Sequence, residues 1–263
     1  MQVESDARTS ENLSISDESS PQSDPRSREQ RPASHEITHG PSFAMLRVDL
    51  TAGQTLVAEA GSMVARQSSV HMQVRMNANT SAGFWPKLAS FLIALVRKFV
   101  GGETFFVNHF SAPEKGSVWI APTFAGQIGY RKMHNERITL STGAFVASTG
   151  PLDIRLKFGG IKALLAKEGV FFLEVSGSGE LWFTSYGGIH AVDIDGPFIV
   201  DNGHIVGFEG NVTYRIRNAG GGFMGFVASG EGLVCEFSGT GRVYLQSRSV
   251  GSLVGWLKPL LPG

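Results

Sequence analysis

Side chains of the types that hold metal ions crowd into fifteen residues in the last third of the chain. Imidazole nitrogens and carboxylate oxygens bind hard or borderline cations, and alternate positions along a strand place such side chains on one face. The same run is typical of turns, since Asp-Gly and Asp-Asn-Gly favour them, and it lacks paired Cys-x-x-Cys spacing. Turn formation is the preferred interpretation, so no metal is predicted. The candidate ligands are His190, Asp193, Asp195 and His204, with Asp201 in the same run.

Familiar catalytic motifs are missing from the sequence. Glycine-rich stretches at 101–102 and 220–222 could direct backbone N–H groups at an anion, but neither continues into Gly-Lys-Ser/Thr and neither lies in a βαβ unit. A Gly-x-Ser-x-Gly nucleophile turn is also absent. The single cysteine, Cys235, lies in an apolar strand pattern and is predicted to be a small buried residue. The sequence therefore predicts no enzyme and no cofactor.

The elements that would position any site come in three copies. Each copy holds an apolar strand, a Gly turn and a second apolar strand, and later a strand that begins with Gly and carries an aromatic residue. The first motif occurs at 56–65, 138–147 and 198–207, and the second at 116–120, 179–183 and 241–245. The second motif recurs at steps of 63 and 62 residues, which is typical of one structural unit used three times. Thr142-Gly143 and Asn202-Gly203 are predicted to form two-residue hairpin turns.

One carboxylate recurs in every copy at the end of a predicted short helix. A negative charge there opposes the helix dipole and is unfavourable unless a partner compensates it. We predict that each carboxylate accepts hydrogen bonds from a neighbouring unit and braces the two together, with a ligand or cation site as the alternative. The three residues are Glu103, Glu168 and Glu231.

The first copy holds an additional apolar helix, predicted over 84–99, in which Pro86 suits the first turn and the apolar residues share one face. The uninterrupted apolar run of this helix, 88–96, is too short to cross a bilayer, which needs about 20 residues. It could pack on the sheet, dock a protein partner or a second copy, or lie in a membrane interface. The apolar C-terminal segment, 251–263, is predicted to fold back onto the body or to offer a second contact surface. The predicted interaction surface comprises Trp85, Leu88, Phe91, Leu92, Leu95, Phe99 and Trp256.

The N-terminal segment, 1–42, differs in kind from the rest. Its first forty residues carry nine serines, eight acidic residues, four arginines and no aromatic residue, so the segment is predicted to be disordered. It resembles neither a secretory signal nor a mitochondrial transit peptide, and a cytoplasmic location, with membrane-peripheral contact left open, is expected. The whole chain has 33 glycines and 42% apolar residues, which suits strands joined by tight turns. A β body is predicted over 43–250, in units of about 43–133, 134–195 and 196–250.

The chain resembles a family named after a mitochondrial-biogenesis protein (altered inheritance of mitochondria) and widespread in bacteria. The resemblance spans roughly 43–250 and rests on Glu59-Ala60-Gly61-Ser62-Met63, Gly102-Glu103-Thr104-Phe105-Phe106, Asp195-Gly196-Pro197-Phe198-Ile199-Val200 and Gly230-Glu231-Gly232-Leu233-Val234. It implies three tandem units, each similar to a subunit of the tryptophan RNA-binding attenuation protein. These units would form a pseudo-trimer of antiparallel β-sandwiches with short helices between strands. The family's biochemical activity is not established, although its mitochondrial members are linked to inner-membrane organisation.

Similarity to the attenuation protein would suggest RNA binding, but the charge pattern of this chain argues against a nucleic-acid partner. Such a ring needs a basic residue at the same position of every unit to contact phosphates, whereas the lysines and arginines here lie at different offsets in the three copies. The sequence instead predicts a non-enzymatic assembly or scaffolding protein, or a membrane-associated organising protein. Its partner would be a second copy, another protein or a membrane surface. The alternative is a module that binds a small ligand or a metal in crevices between the units.

Overall fold

The computed structural model describes residues 32–76, 106–158, 171–218 and 233–261. Within these ranges β-strand is the predominant secondary structure and the strands pair antiparallel, so the all-β prediction is confirmed. The strands are β1 (Ser34–Thr38), β2 (Met45–Leu50), β3 (Thr55–Glu59), β4 (Met63–Arg66), β5 (His71–Met76), β6 (Phe106–Ser111), β7 (Gly116–Ile120), β8 (Ile128–Ser141), β9 (Phe145–Thr149), β10 (Leu152–Phe158), β11 (Phe171–Thr184), β12 (Ile189–Asp195), β13 (Phe198–Asp201), β14 (Ile205–Asn218) and β15 (Leu233–Gln246). The other described elements are the 3-10 turns Thr142–Ala144, Asn202–His204 and Lys258–Leu260 and the C-terminal helix Val250–Leu257.

Two sheets contain these strands. The smaller sheet has the order β1-β2-β7-β4. The larger has the order β12-β15-β14-β8-β11-β9-β3-β6-β5, with β10 added to β11 and β13 added to β15. Because β11 and β15 are each 14 residues long, their two halves pair with different neighbours.

The same pairing scheme occurs in each third of the chain. In the first third, β3 and β5 flank β6, while β2 and β4 flank β7. In the middle third, β8 and β10 flank the first half of β11, and β8 and β9 flank its second half. In the last third, β13 and β14 flank the first half of β15, and β12 and β14 flank its second half. Strands that match in sequence therefore make matching backbone contacts.

Burial follows the pleat of the strands. In β2, Leu46, Val48 and Leu50 are buried and alternate with half-buried residues, as expected for a strand with one face on the core. All five residues of β9 are buried, because this strand lies between β11 and β3. Buried apolar side chains form three clusters, each with members from more than one third of the chain. The core is thus shared between the thirds.

The turns at Gly143 and Gly203 differ from the prediction of two-residue hairpins. Each is a 3-10 turn, and neither glycine has the positive φ that such hairpins need. A hairpin joins strands that pair with each other. β8 and β9 do not pair with each other, because both pair with β11, β8 along its whole length and β9 along its second half. The carboxylate of Asp201 stabilises the second turn by accepting a 2.8 Å hydrogen bond from the Gly203 N–H. The hairpin prediction is wrong for both turns.

The β body begins before the predicted boundary at residue 42. β1 pairs with β2 from Ser34 opposite Asp49 to Thr38 opposite Met45. Ala33 is buried, and Ile37 packs against the first core cluster. The prediction of disorder is therefore wrong for 34–38, because the polar composition of the whole segment hid one short strand.

Candidate functional site

A groove lies where the middle and last thirds meet. Its volume is about 820 Å³, and its walls come from β8, β12, β14 and β15. Charged groups of both signs line it, with three arginines and four carboxylates. They are Arg131, Arg137 and Arg242 and Glu136, Asp193, Asp195 and Glu209.

Two of these arginines pair with carboxylates of the groove. Arg242 donates two hydrogen bonds to Asp193, from Nε to Oδ1 at 2.6 Å and from an Nη to Oδ2 at 3.0 Å. These hydrogen bonds and the positive charge of Arg242 lower the pKa of the exposed Asp193 carboxyl. Arg131 lies 3.2 Å from Glu136 and 3.3 Å from Glu209. The Nε of Arg131 is buried and has no hydrogen-bond partner within the described part of the chain.

A tyrosine and a carboxylate form a protected pair beside the groove. The Tyr244 hydroxyl donates a 2.9 Å hydrogen bond to Glu209. Burial raises the pKa of Tyr244 to about 12, and the Glu209 hydrogen bond adds to the shift because it favours the protonated phenol. Tyr244 is therefore a neutral hydrogen-bond donor at physiological pH.

Three of the four candidate metal ligands make other contacts. Asp193 holds Arg242, and Asp195 accepts a 3.0 Å hydrogen bond from Thr240. His204 places Nδ1 2.7 Å from the Gln246 carbonyl oxygen, and His190 is exposed on β12. Within the described ranges, no three His, Cys, Asp or Glu side chains lie close enough together to hold a metal ion. The structure thus brings Asp193 and Asp195 to one groove but does not gather the four candidates around a common point.

A buried carboxylate that no sequence motif indicated lies at the start of the second half of β11. Glu180 is only 4% exposed. It accepts hydrogen bonds from the Ala33 N–H at 2.7 Å, the Thr149 hydroxyl at 2.9 Å and the Tyr130 hydroxyl at 3.0 Å. The available signal was a lone acidic residue within the repeated aromatic strand motif. Glu180 joins the N-terminal segment to the middle third of the chain.

Tyr130, which donates to Glu180, belongs to a group of packed aromatic rings. The rings of His35 and Tyr130 lie 4.4 Å apart, and both pack against Trp182. Trp182 is fully buried, and its indole N–H has no hydrogen-bond partner among the described residues. Burial raises the pKa of Tyr130 to about 12, with the Glu180 hydrogen bond as the second cause. These side chains explain why β1 attaches at this place.

Most of the predicted interaction surface lies outside the described residues, as do the three repeated glutamates. These residues are Trp85, Leu88, Phe91, Leu92, Leu95 and Phe99, and Glu103, Glu168 and Glu231.

Cys235 is buried as predicted, and its burial raises the pKa of the thiol to about 12.

The C-terminal helix presents apolar side chains to solvent. Ser249 begins it by accepting a 3.1 Å hydrogen bond from the Ser252 N–H. Its residues are exposed or half-buried, and Trp256 is 66% exposed. Val254, Leu260 and Leu261 are also exposed, so the expectation that this segment folds back onto the body is wrong for these side chains. No helix among the described residues is long and apolar enough to cross a membrane.

The fold and these features define an all-β protein with a charged groove and an exposed apolar C-terminus. The chain belongs to the Mitochondrial biogenesis AIM24 family, whose model matches residues 35–248, so the resemblance predicted from the sequence is confirmed. An uncharacterized protein of Streptococcus pyogenes serotype M6 is 30% identical over 229 residues, covering 86% of this chain and 90% of that protein. The X-ray crystal structure of a Streptococcus pyogenes protein matches with a TM-score of 0.70 and 27% identity, covering 87% of this chain and 100% of that one.

Proposed function

We propose that this chain is a non-enzymatic assembly protein that attaches to the surface of a membrane through its C-terminal helix. Its body would be a pseudo-trimer of three tandem units similar to attenuation-protein subunits, in a cytoplasmic location. The pairing scheme that occurs in each third of the chain supports the three-unit arrangement. The exposed apolar surface of the C-terminal helix carries the functional proposal.

The helix and the residues around it suit an anionic membrane interface. An exposed tryptophan with aliphatic neighbours is typical of segments that lie at the boundary between headgroups and acyl chains. Arg248 and Lys258 bracket the helix, and the stretch 247–263 has no acidic residue. Positive charge beside an apolar surface adds attraction to anionic lipids. The short helix would lie on the membrane rather than span it.

The membrane proposal is tested with vesicles of phosphatidylcholine and phosphatidylglycerol. We expect the full chain to co-sediment with these vesicles and the Trp256→Ser/Leu260→Ser variant to remain in the supernatant, because the apolar contact is lost. The control is Phe43→Ser, which removes a similarly exposed aromatic residue near the other end of the described chain. Binding that is unchanged in the Trp256→Ser/Leu260→Ser variant, or absent in the intact chain, would contradict the proposal.

Several basic side chains are paired with carboxylates of the same chain, which disfavours nucleic acid as the partner. Arg137 and Lys157 both contact Glu174, and Arg217 contacts Glu236. Arginines that are paired with carboxylates on the protein have less capacity for phosphate groups. The proposed function therefore involves lipid and protein surfaces.

A second candidate function is the binding of a small ligand in the groove. The observation that favours it is Arg131, whose buried Nε has no partner within the described residues. Charges of both signs would match a zwitterion such as a free amino acid. Calorimetric titration with the common amino acids should show saturable binding that Arg131→Met abolishes. A flat titration for every amino acid would exclude this class of ligand.

A further inference from the structure

Two strands, β4 and β13, each have an edge that pairs with no other described strand. β4 pairs only with β7, and β13 pairs only with β15, among the described strands. β4 belongs to the first third of the chain and β13 to the last third. An exposed strand edge offers a row of backbone donors and acceptors to another strand.

Strands equivalent to β4 and β13 already pair with each other inside the chain. β3 of the first third pairs with β9 of the middle third, and the end of β8 pairs with the start of β14 in the last third. In the repeated motif, β3, the end of β8 and β13 match one another, as do β4, β9 and the start of β14. Both junctions therefore join the first strand of one motif to the second strand of the next motif.

The two junctions share one register. At the first junction the facing pairs are Leu56–Thr149, Val57–Ser148 and Ala58–Ala147. At the second they are Ile138–Glu209, Thr139–Phe208 and Leu140–Gly207. These are the same motif positions in both cases. Continuing the series would place Phe198 opposite Gln67, Ile199 opposite Arg66 and Val200 opposite Ala65.

The exposure of one valine differs between β4 and the equivalent strands of the two internal junctions. Val64, Val146 and Val206 occupy one motif position, but Val146 and Val206 are 0% exposed while Val64 is 56% exposed. Val146 packs into a cluster dominated by the first third, and Val206 into one dominated by the middle third. On β13, Ile199 is 52% exposed. An aliphatic residue that the two equivalent junctions bury is therefore left in solvent at β4.

The next motif position supports the same conclusion. A side chain on Gly207 would lie 2.6 Å from the Thr139 carbonyl oxygen across the second junction, so this position accepts only a small residue. Its equivalents are Ala147 and Ala65. Ala65 is exposed in the single chain, where nothing in that contact limits its size. The small residue at 65 fits a junction that the single chain does not make.

We propose that β4 of one chain pairs with β13 of a second copy, in the register of the two internal junctions. This inference rests on the proposed assembly function, of which it names the partner. The contact is heterologous, since two different edges meet, and it leaves a free β4 and a free β13 at the ends of each pair of chains. Val64 on β4 and Ile199 on β13 are both exposed within one chain, which favours a second copy over closure of the chain on itself.

Two variants, each with a charge on only one of the two strand edges, test the proposal. Val64→Lys puts a charge where the junction would bury it, and Ile199→Lys puts a positive charge opposite Arg66. In light scattering the intact chain should show a mass that rises with concentration above the 28.2 kDa of one chain. Each variant alone should stay at the mass of one chain. Their equimolar mixture should reach twice that mass, because one intact β4 edge and one intact β13 edge remain.

The matched control is Val74→Lys, which adds the same charge to an exposed valine on β5, another edge strand. We expect it to associate like the intact chain. A single-chain mass for the intact protein at every concentration would overturn the inference. Failure of the equimolar mixture to form pairs, or an equal loss of association in Val74→Lys, would do the same.

The register is tested by cross-linking. Oxidation of the Ile199→Cys/Arg66→Cys variant should give a ladder of linked chains, whereas Ile199→Cys/Val74→Cys should give none. The native Cys235 is buried and does not interfere. A cross-link confined to single chains would show closure of the chain on itself and overturn pairing with a second copy.

Failure of this inference and failure of the membrane proposal are distinguishable. Vesicle binding reports on the C-terminal helix, and mass in the absence of lipid reports on the two edges. Trp256→Ser/Leu260→Ser should therefore keep the mass of the intact chain while losing vesicle binding. A single-chain mass for this variant would assign self-association to the helix and overturn the pairing of β4 with β13.

Discussion

Glu180 is a buried carboxylate that accepts hydrogen bonds from distant parts of the chain. A buried carboxylate is tolerated when several donors satisfy its oxygens, and Glu180 has three. One of these donors, the Ala33 N–H, lies 147 residues away in sequence. The carboxylate thereby fixes the start of the β body against its centre. This is the kind of bracing contact predicted for three other glutamates, which lie outside the described residues.

Replacing Glu180 should destabilise the fold. We expect Glu180→Ala to lower the free energy of unfolding by roughly 1–3 kcal/mol, because buried donors lose their acceptor. Urea denaturation measures this change. Glu136→Ala is the control, since Glu136 is partly exposed and its loss should cost within about 0.5 kcal/mol. Equal effects of the two substitutions would show that the Glu180 hydrogen bonds contribute nothing particular to stability.

Two tyrosines that donate hydrogen bonds to carboxylates predict a loss of stability at high pH. Tyr130 and Tyr244 have pKa values raised from 10.0 to about 12 in the folded chain. A raised pKa means that the folded state favours the protonated phenol, so the stabilisation is complete below pH 10 and is lost as the pH rises through about 12. The melting temperature should therefore fall across this interval, and Tyr244→Phe should reduce the fall. A decline that is equally steep in the variant would contradict the role of Tyr244.

At the scale of elements, glycines allow the long strands to continue from one pairing to the next. In β11 the register with β8 shifts at Gly177, whose φ is +121°. A side chain on Gly177 would lie 2.5 Å from the Pro151 carbonyl oxygen. Gly239 in β15 has φ +104°, and a side chain there would lie 2.1 Å from the Asn211 carbonyl oxygen. The same device thus serves both long strands.

Gly177→Ala should be destabilising by roughly 1–3 kcal/mol, because the added methyl group meets backbone and the conformation disfavours L residues. Thermal unfolding followed by circular dichroism measures the loss. Gly143→Ala is the matched control, since that glycine has open space around its Cβ position and no positive φ. If both variants melt together, the bulge in β11 does not depend on glycine.

The elements also show where sequence patterns lead to a wrong local structure. Thr142-Gly143 and Asn202-Gly203 have the residues of hairpin turns, yet each lies between strands that do not pair with one another. The distinction depends on long-range pairing with β11 and β15, which residues at the turn do not encode. The β1 strand was missed for a similar reason, because its partner β2 and the Glu180 hydrogen bond lie outside the segment that forms it.

At the scale of the whole molecule, the all-β class and the family could be predicted from the sequence. Repeated glycines and apolar runs specify where strands begin and end, and these are local properties. The groove at Arg131 and Glu209 could not be predicted, because its walls come from four strands far apart in the chain. The candidate ligands Asp193 and Asp195 reach that groove, but their partners Arg242 and Thr240 were invisible in the local pattern.

The pairing of β9 determines whether one third of this chain could fold by itself. It has a strand from its own third on one edge and a strand from the first third on the other, and its five residues are all buried. Excising the middle third of the chain would remove the strand on that second edge and expose apolar side chains that now pack in a core shared with the first third. A gene fragment that encodes the middle third alone would therefore lack part of the folding unit to which β9 belongs.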